Sequence, residues 1–266
     1  MTALTGAVRD SGVVAWRNLI NIKRNPDLLL SGTAQPIMFV LLFAYVFGGS
    51  LGGEAYREFL IGGIFVQTVA FNSSFTVVGL ANDLQKGIVD RFRALPMSRI
   101  AVLLGRTSSD LAVSVLTVVI MSLCGLLVGW RISSGPLEAL LGFGLLLLFS
   151  FAMSWVGAYV GLVARSVEVA QSAGLLWLFP VTFVSSAFVS AENMPGPMRV
   201  VAEWNPITAT ADALRELFGN PVRVGMPPPD TWAAQHAVLY SAATSLLVVA
   251  VFMPLAAARY RRVASR

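Results

Sequence analysis

Asp83-Leu84-Gln85-Lys86-Gly87-Ile88-Val89-Asp90-Arg91-Phe92-Arg93-Ala94-Leu95-Pro96-Met97-Ser98-Arg99 separates two long apolar runs and is the one extended charged interruption in the first half of the chain. Wound as a helix, it gathers Leu84, Ile88, Phe92 and Leu95 on one face and Lys86, Asp90 and Arg93 on the other. Pro96 ends it, because proline has no amide proton and disfavours helical geometry at Leu95. Two readings fit such a segment. It is either an amphipathic helix that lies along a membrane face and offers its apolar side to a second protein, or a basic connection that only fixes orientation. In both, the apolar runs on either side decide the fold.

Those runs dominate the composition. Of 266 residues, 56% are hydrophobic and 12% charged, where soluble domains carry about 25% charged residues. The charges cluster and leave several windows of about 20 or more uncharged residues, each long enough as a helix to cross about 30 Å of hydrocarbon. One all-α integral membrane domain over residues 1–266 is expected. The net charge of +5 does not indicate a nucleic-acid partner, because the basic residues sit at the ends of apolar spans. Only Lys23 and Lys86 are lysine among the 19 basic residues, which points to a GC-rich, bacterial genome. Cys124 and His236 are each the only residue of their type. They provide neither a disulfide framework, nor a zinc-ligand cluster, nor a Cys-His or Ser-His-Asp arrangement.

In chain order, the first hydrophobic run is too long and too late for a cleaved signal peptide, so the N-terminus is expected to stay in the mature protein. From Ser11, an N-cap, Val13, Trp16, Leu19 and Ile20 form an apolar stripe beside Arg17, Asn21 and Arg24, as in a helix lying in the membrane interface. Six spans are expected, over about residues 29–49, 59–82, 107–129, 138–163, 169–191 and 232–257. Asn25 and Pro26 start the first of these as cap and first-turn proline. Asp110, near the start of span three, lies within a turn of Arg106 and reads as a structural ion pair. Between spans five and six, the interval 192–230 is built from short helices. One of them gathers Ile207, Ala211, Leu214 and Phe218 on a face, with Asn205 as cap and Gly219 as stop.

On this layout fourteen of the basic residues fall on the side of the two termini and the 83–99 segment, and five on the other. The positive-inside rule then puts both termini in the cytoplasm and the 192–230 interval outside. Span two carries Gln67, Asn72 and Thr76 among Phe65, Phe71 and Phe75. Span five carries Ser185 and Ser186 among Trp177, Phe179, Phe183 and Phe188. Rings with sparse donors and acceptors suit a greasy compound bearing a few polar groups, and they also suit polar side chains that hold helices together.

The interfacial N-terminal helix, the six spans, the segment from Asp83 and Gly87 to Leu95-Pro96-Met97-Ser98-Arg99, and Met194-Pro195-Gly196 leading to Trp204-Asn205-Pro206 and Ala213-Leu214-Arg215 resemble the permeases of ABC-2 type exporters. The likeness is closest to the daunorubicin and doxorubicin resistance permease subfamily, whose cytoplasmic segment often starts with glutamate where this chain has Asp83. It implies a permease that forms a homodimer in the cell membrane, engages two copies of an ATP-binding subunit and moves a hydrophobic small molecule. Asp83, Gly87, Ile88, Arg91, Phe92, Leu95 and Pro96 would form the coupling helix. Gln67, Phe71, Asn72, Thr76, Phe179, Phe183 and Ser186 would line the substrate path at the dimer axis. Pro195, Trp204, Asn205, Pro206 and Arg215 would belong to an extracellular gate. The chain holds no G-x-x-x-x-G-K-[ST] phosphate loop, so it is expected to bind no cofactor of its own, with ATP and magnesium in the partner subunit. Export of a drug, antibiotic or secondary metabolite is the leading expectation, and export of a lipid or polysaccharide by the same architecture is the alternative. An intramembrane enzyme would need acids, histidines or cysteines clustered at membrane depth, and an ion channel a charged ring or a filter sequence.

Overall fold

A computed structural model describes residues 26–47, 53–88, 99–222 and 231–263, together with the single positions Gly12, Trp16 and Ile20. Most of the expected interfacial helix therefore lies outside the described residues. So do Arg91, Phe92, Leu95 and Pro96 of the expected coupling helix. The described part is helical, and no strand occurs in it.

Helix α1 (Pro26–Leu41) runs on into a π-helical turn over Leu42–Phe47. Then come α2 (Gly53–Gln85), α3 (Arg99–Val128) and α4 (Pro136–Val163). A broken pair follows, α5 (Val167–Leu176) and α6 (Leu178–Phe183), and after it α7 (Gly196–Glu203), α8 (Pro206–Phe218), α9 (Trp232–Gln235) and α10 (Ala237–Val263). Four of these, α2, α3, α4 and α10, are long and apolar enough to cross a membrane. They coincide with the expected second, third, fourth and sixth spans.

The first and fifth expected spans look different. Leu42–Phe47 loosens into π-helix instead of continuing α1 as regular α-helix to residue 49. Span five, expected over 169–191, is interrupted at Trp177 and stops at Phe183. Pro180 explains the interruption, because it cannot donate to the carbonyl of Leu176 and its ring crowds that group. Ser185, Ser186 and Phe188 consequently sit in an irregular turn.

Helices α2 and α4 form the centre of the bundle. A methyl group added at Gly157 would lie 2.5 Å from the Ser73 carbonyl oxygen, and one at Gly161 would lie 2.6 Å from that of Val77. This Gly-x-x-x-Gly pair therefore lets the two backbones meet, which is how helices associate where lipid removes the hydrophobic drive. At the end where α2 begins, Phe65, Trp130, Phe143 and Phe218 pack edge to face or tilted. At the opposite end, Leu80, Leu103, Trp155, Leu162, Ala256 and Tyr260 form a second core.

Helix α8 belongs to the interval expected on the outer side of the membrane, and its apolar face, the Asn205 cap and the Gly219 stop occur as expected. Nearly all of the helix is buried, however, including Thr208, Asp212 and Arg215. It lies across the ends of three long helices and meets α2 at Gly62, α4 at Gly142 and Leu145, and α10 at Ser241 and Ala237. The α3–α4 turn clamps its far end. Ser134 Oγ donates to the Leu217 carbonyl (2.6 Å), Trp130 Nε1 to Asn220 Oδ1 (2.7 Å), and Asn220 Nδ2 to the Arg131 carbonyl (2.8 Å).

Candidate functional site

A cavity of about 510 Å³ opens between α1, α2 and α5. Because α2 is buried along most of its length, the polar residues of its middle stretch must pair or face this space. Gln67, Thr68, Phe71, Asn72, Ser74, Phe75 and Val78 of α2 line it. Opposite them stand Gln35, Pro36 and Phe39 of α1 and Gln171 and Leu175 of α5. Ser74 ties two of the walls together, its Oγ donating to the Gly174 carbonyl at 3.0 Å.

Of the seven residues expected along a substrate path, Gln67, Phe71 and Asn72 line the cavity. Phe179 meets Phe71 edge to face with ring centres 5.2 Å apart, and Phe183 stacks on Phe179 at 6.0 Å. The ladder continues through Phe188 and Phe43 back to Phe39. A run of aromatic rings thus leads away from the cavity wall at Phe71 and returns to it at Phe39. Phe179 and Phe183 stand beside the cavity, outside its lining, and remain 41% and 50% exposed.

Thr76 and Ser186 do not line the cavity. Thr76 is fully buried against α3, where its hydroxyl donates to Asp110 Oδ2 at 2.7 Å. Arg106 completes this group, with Nε 3.4 Å from the Asp110 carboxylate and Nη2 donating to the Phe75 carbonyl at 2.9 Å. The group joins α2 and α3 with its charges balanced and hydrogen-bonded, the condition for keeping an ion pair at depth.

Ser186 belongs to a second group built around Arg215, whose side chain is completely buried. Arg215 Nη1 donates to Asp212 Oδ1 (2.6 Å) and to Ser186 Oγ (3.3 Å), Nη2 to the carbonyls of Ser186 (2.9 Å) and Ala187 (3.3 Å), and Nε to that of Phe59 (2.8 Å). Ser186 Oγ also donates to Asp212 Oδ1 at 3.0 Å. A planar guanidinium with five donors can satisfy such a fan of acceptors, whereas an ammonium cannot. Gly63 permits the fit, since a methyl group there would collide with the Ala187 carbonyl.

The other residues expected in a gate surround the same turn. Asn205 caps α8 by accepting from the Ile207 amide, and its Nδ2 donates to the carbonyls of Val181 and Val184, both at 2.7 Å. It thereby closes the open C-terminus of α6. Pro206 starts α8 and Pro195 precedes α7. Trp204 ends α7, with its carbonyl accepting from the Tyr240 hydroxyl at 2.9 Å. Of the expected coupling residues, Asp83 lies in the last turn of α2, Gly87 turns the chain at φ 63°, and Ile88 follows as the last described residue there. Among the described residues no group of three or more His, Cys, Asp or Glu side chains could hold a metal ion.

Sequence reasoning passed over Gln35, Gln171 and Asp212. Gln35 and Gln171 are polar residues inside apolar helices, the signal that had picked out Gln67 and Asn72, whereas Asp212 lies on a short helix of mixed polarity.

Comparison with known proteins gives concordant matches. The family model described as ABC-2 type transporter matches residues 10–218. A daunorubicin resistance ABC transporter permease protein of Streptomyces coeruleorubidus is 33% identical over 248 residues, which is 92% of this chain and 84% of that protein. A protein of Mycobacterium tuberculosis named as a probable doxorubicin resistance ABC transporter permease is 23% identical over 226 residues, 82% of this chain and 80% of its own.

Proposed function

The chain belongs to the ABC-2 type transporter family, and from that membership we propose that it is the membrane-spanning permease subunit of an ATP-driven exporter of hydrophobic or amphipathic compounds. The observation that carries this reading is the cavity of about 510 Å³, whose walls combine phenyl rings with amide side chains. Its size falls in the range of about 300–1,000 Å³ used by small-molecule sites. Relatives named for daunorubicin and doxorubicin resistance support a drug or secondary metabolite as cargo.

In this reading α1 with its π-helical turn, α2, α3, α4, the α5–α6 pair and α10 are six passes through a bacterial cell membrane. Both termini are cytoplasmic, in keeping with the distribution of basic residues. Two copies of the chain meet so that the cavities open on the shared axis. Asp83, Gly87, Ile88, Arg91, Phe92, Leu95 and Pro96 dock on a separate ATP-binding subunit, which supplies ATP and magnesium. Pro195, Trp204, Asn205, Pro206 and Arg215 form the outer closure, with Arg215 and Asn205 holding the turn after α6. Gln67, Phe71, Asn72, Phe179 and Phe183 guide the cargo, while Thr76 and Ser186 hold helices in place.

The test is reconstitution in vesicles with an ATP-binding subunit from the same genome. ATP-dependent accumulation of a hydrophobic dye is expected, and Phe92→Ala should leave membrane insertion intact while reducing cargo-stimulated ATP hydrolysis. Dye movement that proceeds equally without ATP would overturn the reading.

A further inference from the structure

Helix α10 ends in arginines on the side it leaves uncovered. Leu247, Val251 and Leu255 are exposed at spacings of four, while Ala256 and Tyr260 are buried on the other side. Counted on by four and then three residues, the exposed face reaches Arg259 and Arg262, whose Cβ atoms are about 5–6 Å apart. From Leu247 to Arg259 the rise is about 18 Å, a little over half the thickness of a hydrocarbon core. Apolar side chains thus match one leaflet, and the guanidinium groups arrive at headgroup level.

The end of α4 completes the feature. Arg259 Nε donates to the Leu162 carbonyl at 3.3 Å and so fills one of the open acceptors in the last turn of α4. Phe252 of α10 and Tyr159 of α4 meet edge to face at 5.8 Å within two turns of that bond. Val163, at the end of α4, is exposed, and so is Arg165 just beyond it. We propose that this seam between α4 and α10 binds an anionic phospholipid, with its phosphate held by Arg165, Arg259 and Arg262 and its acyl chains laid against Val251, Leu255 and Val163. The inference concerns the surrounding membrane and does not rest on the exporter reading.

Charge and shape both favour that occupant. Guanidinium groups pair with phosphate through two parallel hydrogen bonds, and basic residues directly after a membrane helix attract anionic headgroups. No carboxylate among the described residues pairs with Arg165 or Arg259. The acids described at this rim, Asp83 and Glu168, belong to α2 and α5, which pack on each other through Val77, Ala81 and Ala170. A second copy of the chain is a poorer cover for the exposed face. Two-fold pairing along α10 would set Arg262 beside the partner's Arg262, and like charges in contact oppose it.

Binding to the purified full chain in uncharged detergent tests the proposal. A fluorescent phosphatidylglycerol is displaced by unlabelled dioleoylphosphatidylglycerol, by dioleoylphosphatidylcholine, or by glycerophosphoglycerol, which is the headgroup without chains. The anionic lipid should compete at a concentration at least about twentyfold lower than phosphatidylcholine, and the bare headgroup should compete hardly at all. Arg259→Gln and Arg262→Gln should each weaken the anionic lipid by about fivefold, the scale of one arginine near a membrane surface. Arg261→Gln makes the same charge change at the same rim, but it lies about 160° around the helix from Arg259. It should weaken binding by less than about twofold. Arg165→Gln should act like Arg262→Gln and serves if the Arg259 variant, which also loses the Leu162 bond, fails to fold. Equal affinity for the two lipids, or an Arg261 variant as damaging as the Arg262 one, would overturn the site, the second by reducing it to a diffuse basic rim. Full displacement by the bare headgroup would make it a free-anion site and overturn the lipid assignment. Ready oxidation of Val251→Cys to a disulfide-linked dimer, with Cys124 replaced by serine, would show a second copy on this face and overturn it too.

Discussion

The guanidinium of Arg215 lies 3.5 Å from the centre of the Phe59 ring, and its Nε donates to the carbonyl of that same residue at 2.8 Å. One side chain thus grips α2 by both ring and backbone while its other donors hold Asp212 and the turn at Ser186 and Ala187. Arg215→Met should cost about 3–5 kcal/mol, because it leaves the buried Asp212 carboxylate without its counter-ion. Arg215→Lys should recover little of that, since an ammonium cannot span the same acceptors. Thermal unfolding of the purified protein would check both, and a lysine variant as stable as the original would contradict the account.

Gly157 and Gly161 make a packing prediction of a different kind. Gly157→Ala and Gly161→Ala should each destabilise by about 1–3 kcal/mol, because the added methyl group meets the α2 backbone and not a movable side chain. Cargo preference should not change in the protein that remains folded. Abundance and the unfolding midpoint report the first effect, and uptake of several compounds side by side reports the second.

How much of this could be read from residues alone differs between elements. The long helices α2, α3, α4 and α10 were legible because each is an uninterrupted apolar run whose ends carry charges or turn residues. The break at Trp177 was within reach of Pro180, although the apolar run continues past it and hides the stop. The burial of α8 was hidden more deeply. Asp212 and Arg215 are charges on a short helix of mixed polarity, and their partners, the carbonyls of Phe59, Ser186 and Ala187 for Arg215 and the Ser186 hydroxyl for Asp212, lie 26 or more positions away. In the cavity, Gln67 and Asn72 stood out as polar residues in an apolar helix. Thr76 lies only one turn beyond Asn72, but Asp110 of α3 takes its hydroxyl, and no spacing within α2 reveals that partner.

Phe179 and Phe183, beside the cavity, should respond differently from Thr76, which packs against α3. Phe179→Ala and Phe183→Ala should preserve abundance, both rings being substantially exposed, and should change the relative uptake of compounds of different shape. Thr76→Val should lower the transport of all compounds together, through lost protein, because it leaves the Asp110 carboxylate short of a donor. A selectivity change in the valine variant at full abundance would reverse these assignments.

Membrane orientation is open to chemistry at two exposed turns. With Cys124 replaced by serine, a membrane-impermeant thiol reagent applied to intact cells should modify Ser133→Cys, between α3 and α4. It should miss Arg165→Cys, between α4 and α5. Labelling of the second position alone would invert the topology.

Phe75 turns one side chain toward the cavity while its carbonyl is held by Arg106, seven residues into α3. That distance is about 10 Å along the helix axis. Arg106 rests where Gly79 leaves no side chain in the way, so the link is a direct strut from one helix to the backbone of the next. A pull or twist applied at Arg99 would reach the cavity wall within two helical turns, without bending the centre of the bundle. One rim of the protein is thereby joined, through a single side chain, to the wall of the cavity.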